Sequence, residues 1–83
     1  MPRFYFDVLD GDRLVRDDDG LELASLEAAE REARRGAADM GRDSLPKDCP
    51  EISVQVRDEQ GERVLTVTVS ITVRREAFVL AYA

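Results

Sequence analysis

The opening segment, PRFYFDVLDGDRLVRDDDGLELASLEAAEREARR, leaves little freedom in how this chain can begin to fold. Phe4, Phe6 and Val8 alternate with Tyr5, Asp7 and Leu9, and aromatic and β-branched residues at period two specify a strand. Phe4, Phe6 and Val8 form the better core face. Tyr5 and Leu9 mark the other face as partly covered too. Asp10, Gly11 and Asp12 then make a turn, because glycine takes positive φ freely and aspartate bonds its own backbone. Residues 13–17 return as a short strand carrying Leu14 and Val15. Asp17, Asp18, Asp19 and Gly20 form a second turn. Leu21, Glu22 and Leu23 give a brief extended segment into a helix.

Ser25 is a suitable N-cap for a helix opening at Leu26, and Glu27 and Glu30 favour the positive end of its dipole. Leu26, Ala29, Ala33, Ala37 and Met40 recur at three- and four-residue spacing as one apolar stripe. A stripe made mostly of alanine lets a helix lie close to a sheet. Gly36 and Gly41 each cost about 1 kcal/mol against alanine in a helix interior. Fraying or a bend is therefore expected beyond Gly36, with the helix ending near Asp43. Residues 44–50 read as a linker, marked by Pro46 and Pro50 and holding Cys49.

The second half is a hairpin. Ile52, Val54 and Val56 alternate with Ser53, Gln55 and Arg57, and Asp58, Glu59, Gln60 and Gly61 form the turn. Gly61 suits the left-handed position of a short loop with a bulge. Beyond it, Leu65, Val67, Val69, Ile71 and Val73 face one way. Val64, Thr66, Thr68, Ser70 and Thr72 face the other. If residues 64–75 are all extended they reach about 40 Å, against about 23 Å for the strand before them. The far half is then expected to outrun its hairpin mate and to need another strand, the tail or a second copy beside it. The apolar tail, with Phe78, Val79, Leu80 and Tyr82, reads as a final strand or arm on the core, as a dimer-forming arm, or as a recognised peptide.

Eighty-three residues make one domain, 1–83, with 73–83 set apart as a dimerisation arm or edge strand. Area scaling has such a chain burying about 63% of its unfolded surface, enough for a core two layers deep. A net charge of −6 opposes a phosphate backbone, so no nucleic-acid partner is expected. Arg3, Asp7 and Asp10 interrupt the first apolar stretch, which argues against a signal peptide. No apolar run approaches the ~20 residues of a membrane span, so no membrane partner is expected either. One cysteine gives no disulfide framework and fits a cytoplasmic location.

The reactive groups are sparse. Without histidine there is no Ser-His-Asp or Cys-His pair and the commonest zinc ligand is missing. Cys49 has Asp48 beside it and Glu51 as near in sequence as Lys47, which opposes thiolate formation, and it reads as an incidental loop residue. Asp10, Asp12, Asp17, Asp18 and Asp19 are of the right type for calcium or magnesium, but Gly20 follows the run instead of sitting inside a calcium loop, and turn chemistry explains them better. The carboxylates are expected in turns and on the helix surface, with nothing to desolvate them. Arg31, Arg34, Arg35 and Arg42 offer a basic helix patch, although Glu27 and Glu30 stand four residues before Arg31 and Arg34 and favour paired, solvated faces. No catalytic, cofactor-binding or metal-binding residue is assigned, and the chain is read as not an enzyme.

MPRFYFDV, DGDRLVRDDDG, LEL and LEAAEREARR, followed by EISVQVRDEQGERVLTVTVS, resemble a family of small bacterial domains of unknown function. Its members open on a Met-Pro-Arg-aromatic-aromatic-Phe strand and an Asp-Gly turn. The resemblance covers roughly residues 1–70 and implies a small α+β fold, with no activity to carry over. More distantly, the order of elements and the SLEAAEREA start are similar to HicB-type antitoxins, which implies a toxin partner.

The expected fold is α+β, in order β-β-α-β-β, with one helix packed on an antiparallel sheet and room for an extra C-terminal strand. The expected core is Phe4, Phe6, Val8, Leu14, Leu26, Ala29, Ala33, Ala37, Ile52, Val54, Val56, Leu65, Val67 and Val69. The expected function is a self-associating, non-catalytic protein-interaction domain, most simply a homodimer. Its partner-binding residues would be Val69, Ile71, Val73, Phe78, Leu80 and Tyr82. The alternative is an antitoxin-like partner of a small basic toxin.

Overall fold

The computed structural model describes residues 1–47 and 50–76. The strands are β1 (Arg3–Asp10), β2 (Arg13–Val15), β3 (Leu21–Glu22), β4 (Glu51–Arg57) and β5 (Arg63–Ser70). The helix α1 (Leu26–Ser44) lies between β3 and β4, and a single 3₁₀ turn (Leu45–Lys47) follows it. This is the expected α+β layout, with the brief segment before the helix pairing as an additional strand. All pairings are antiparallel, in the order β2-β1-β4-β5, and β3 also pairs with β1.

Register sorts the side chains into two faces. Phe6 pairs with Val56, Val8 with Val54 and Asp10 with Ile52. Val56, Val54 and Ile52 in turn pair with Leu65, Val67 and Val69. Directly opposed residues share a face, so this apolar set makes one side of the sheet. On that side α1 packs over β4 and β5. Ala29, Ala33, Ala37 and Gly41 form its buried stripe. Phe4, Val54 and Val56 complete the core, with Phe6, Leu65, Val67 and Val69 packed against it. Ile52 is also fully buried. Burying each such valine or isoleucine contributes about 1.5–3 kcal/mol.

The helix starts as expected. Ser25 is extended, and its Oγ accepts the Ala28 N–H at 3.1 Å. The expected fraying beyond Gly36 does not occur: regular helix continues to Ser44. Burial of Ala37 and Gly41 outweighs the glycine cost. Gly41 is also required sterically, because a β-carbon there would lie 2.8 Å from Val69 Cγ2. Glu30 pairs with Arg34 at 3.7 Å, while Arg35 and Arg42 pair with Glu32 and Asp39.

Three expected core residues are not core: Val8 is only half-buried and lies outside the buried cluster, and Leu14 and Leu26 are exposed. Leu14 is 54% exposed, because it pairs with Leu9 on the face away from the helix. Leu26 is 45% exposed, because the first helical residue overhangs the sheet. The largest correction concerns the last strand. It ends at Ser70, and residues 71–76 follow without regular structure, exposed. β5 therefore matches β4 in length, from Glu51 opposite Ser70 to Arg57 opposite Arg63, and the anticipated overhang does not exist. An extra strand or arm within 77–83 lies outside the described residues, as do Cys49 and most of the apolar tail.

Candidate functional site

The sheet has two edges, and the chain treats them differently. Along β1, the ends of the outer edge are paired: Val8, Leu9 and Asp10 with β2, and Arg3 and Phe4 with β3. The gap between them is closed by a side chain. The Phe6 N–H donates to Asp17 Oδ2 at 3.0 Å, so a carboxylate stands where a neighbouring strand would supply a carbonyl. Asp17 Oδ1 accepts the N–H groups of Asp19 and Gly20 at 3.0 and 3.1 Å, which shapes the acidic turn. The Asp17 N–H donates to Asp7 Oδ1 at 2.9 Å.

Arg57 ties this closure to the centre of the sheet. Its Nε donates to Asp7 Oδ2 at 2.8 Å and its Nη2 to Asp7 Oδ1 at 3.3 Å, a two-pronged contact. Nη2 also donates to the Asp17 carbonyl at 2.7 Å. The guanidinium lies 4.6 Å from the centroid of the Tyr5 ring, its register partner on β1. Asp7 is only 7% exposed. The expectation that nothing desolvates the carboxylates is thus corrected, because the 16–20 loop folds over the outer face and covers one. The visible signal was an aspartate inside the strand FYFDVL. Its partner lies fifty residues away.

These contacts hold both carboxylates in the charged form. Burial opposes charge at Asp7, but the hydrogen bond from Arg57 and the Asp17 N–H outweigh it, and the pKa falls below 3.8. At Asp17 burial is likewise outweighed, by the Phe6, Gly20 and Asp19 N–H groups, and its pKa also falls below 3.8. A pKa depressed by folding contributes stability that is present above the unfolded value and lost as pH falls through the folded one. Urea unfolding should therefore show stability declining below about pH 4. Asp7→Asn should decline less steeply over that range; an unchanged slope would refute the assignment.

The cluster is structural in chemistry. Asp17 has three N–H donors on its carboxylate, and Asp7 has Arg57 and one N–H. The described residues contain no group of three or more histidine, cysteine, aspartate or glutamate side chains arranged for a metal, and enclose no pocket.

The other edge is β5. Among the described residues it pairs only with β4, so alternate N–H and C=O groups face outward along eight residues. Its outer-face residues Val64, Thr66, Thr68 and Ser70 are exposed, and only Thr68 of these is tied across the sheet, to Ser53 at 2.7 Å between hydroxyl oxygens. Residues 64–70 contain no charge and no proline, the usual means of blunting an edge. Of the residues expected to bind a partner, Val69 turns inward against the helix and only its backbone reaches the edge. Ile71 and Val73 are exposed just past the strand, at 54% and 78%. Phe78, Leu80 and Tyr82 lie outside the described residues.

A sheet of five strands under one helix, with one edge closed by a carboxylate and the other open among the described residues, defines a small α+β domain. The chain belongs to the family described as a domain of unknown function, DUF6894, whose model matches residues 3–70. The match ends where β5 ends. Comparison with curated proteins and with solved structures found no match. No helix among the described residues is long and apolar enough to cross a membrane.

Proposed function

We propose that this chain is a non-catalytic protein-interaction domain that associates with a second copy of itself along the free edge of β5. One observation carries the reading: the chain closes the β1 edge with two short strands and the Asp17 carboxylate, yet among the described residues the eight of β5 pair on one side only. An edge that is unpaired among the described residues and uncharged from Val64 to Ser70 is a template for another strand. The absence of an overhang moves the contact from the strand's far end to its side. One unpaired cysteine suits work in a reducing cytoplasm.

Sedimentation at high micromolar concentration should give twice 9.3 kDa, and exchange of β5 amides should slow as concentration rises. A monomer at that concentration would overturn self-association. A second reading keeps some support, because β-β-β-α-β-β contains the strand–strand–strand–helix–strand order of HicB-type antitoxins. On that reading β5 receives a small basic toxin. Its signature is a monomer alone that forms a 1:1 complex with such a protein.

A further inference from the structure

Resting on that reading, we infer that two copies join β5 to β5 antiparallel with Val67 on the two-fold axis, and that Arg74 and Arg75 of each copy lie along the other's acidic hairpin. Antiparallel strands related by a two-fold axis must have that axis perpendicular to the sheet. Each residue then faces one on its own side of the sheet, and both helices fall on the same side. Among such registers, the one centred on Val67 alone pairs Leu65, Val67 and Val69 only with one another. It sets Thr66 opposite Thr68, a hydroxyl pairing this sheet already uses between Ser53 and Thr68.

The same register carries residues 71–76 past the start of the partner's β5 and onto its β4–β5 turn. Thr72 then faces Glu62, and Arg74 and Arg75 run past the end of the turn that carries Asp58 and Glu59. The charges suit that placement. Asp58, Glu59 and Glu62 crowd a five-residue turn. The Asp58 carboxylate is engaged by the Gln60 and Glu62 N–H groups, and Glu59 has one long contact, 3.3 Å from the Arg3 N–H. Arg74 and Arg75 are exposed and make no ion pair among the described residues. Paired arginines just beyond β5 thus approach, in the second copy, the acidic turn just before that strand. A parallel pairing would bring arginines to arginines.

Sedimentation equilibrium of charge-reversed chains tests this. Arg74→Glu with Arg75→Glu, and separately Glu59→Arg with Glu62→Arg, should each weaken the dimer at least about tenfold at low salt. All four changes together should restore most of the affinity, and raising the salt should weaken the native dimer. In a Cys49→Ser background, Val67→Cys should cross-link on oxidation and Thr66→Cys should not. A dimer indifferent to both reversals and to salt, or one that cross-links at Thr66, overturns this geometry while leaving self-association standing. A native chain that stays monomeric overturns both.

Discussion

Arg57→Ala should lower the melting temperature by roughly 10–20 °C at fixed protein concentration, among the largest effects available to one polar residue here. The change removes both guanidinium donors from Asp7, the donor on the Asp17 carbonyl and the cation over Tyr5. It strands a carboxylate whose side chain is 10% exposed. Losing one member of a buried pair costs more than the pair was worth, because the survivor keeps its desolvation penalty. Arg57→Lys should fall in between, since an ammonium replaces one prong and not the fork. Asp7→Val combined with Arg57→Met should recover much of the loss, because no buried charge then remains. Calorimetry in the neutral range checks the series. If Arg57→Ala melts within a few degrees of the native chain, the cluster does not close the β1 edge as described.

Gly20→Ala should cost about 2–4 kcal/mol, measured by urea unfolding. Gly20 has φ +71°, where a β-carbon is strained in any surroundings. The space is also closed: that carbon would lie 2.8 Å from Tyr5 Cε1, 2.9 Å from Arg3 Cγ and 3.0 Å from the Phe4 carbonyl oxygen. Tyr5 can yield only by leaving its stack with Arg57, and the carbonyl belongs to the β1–β3 ladder. The strain therefore passes into the loop that presents Asp17 to Phe6. Gly11 is an internal control: φ is +63° but nothing lies within 4 Å of a β-carbon, so Gly11→Ala should cost only the backbone term. Equal losses at the two positions would show that the close approach at Gly20 contributes nothing.

Both predictions centre on the region that linear reading served least well. Asp7 and Arg57 are fifty residues apart, and neither type announces burial when read alone. Reading along the chain places Leu14 in the core and leaves its neighbour Val15 out. Only pairing with Leu9 and Val8 assigned their faces, and the helix, lying over β4 and β5, covers neither. The alternation through Val73 read as strand, yet β5 ends opposite Glu51, where β4 has no further residues to offer. Period two reports what a segment can become; a strand ends where its partner does.

What the linear order of residues determined was local. Ser25 capped the helix, the alanine stripe chose its buried face, the Asp-Gly and Gln-Gly turns placed the hairpins, and period two set the inward faces of β1, β4 and β5. Each depends on residues a few positions apart, where covalent geometry and burial preference act directly. What only the tertiary structure decided was which edge is closed. That outcome depends on a carboxylate in one turn reaching the backbone of a strand eleven residues earlier, under an arginine forty residues later. Such contacts arise once strands are adjacent in space, and no spacing along the chain encodes them.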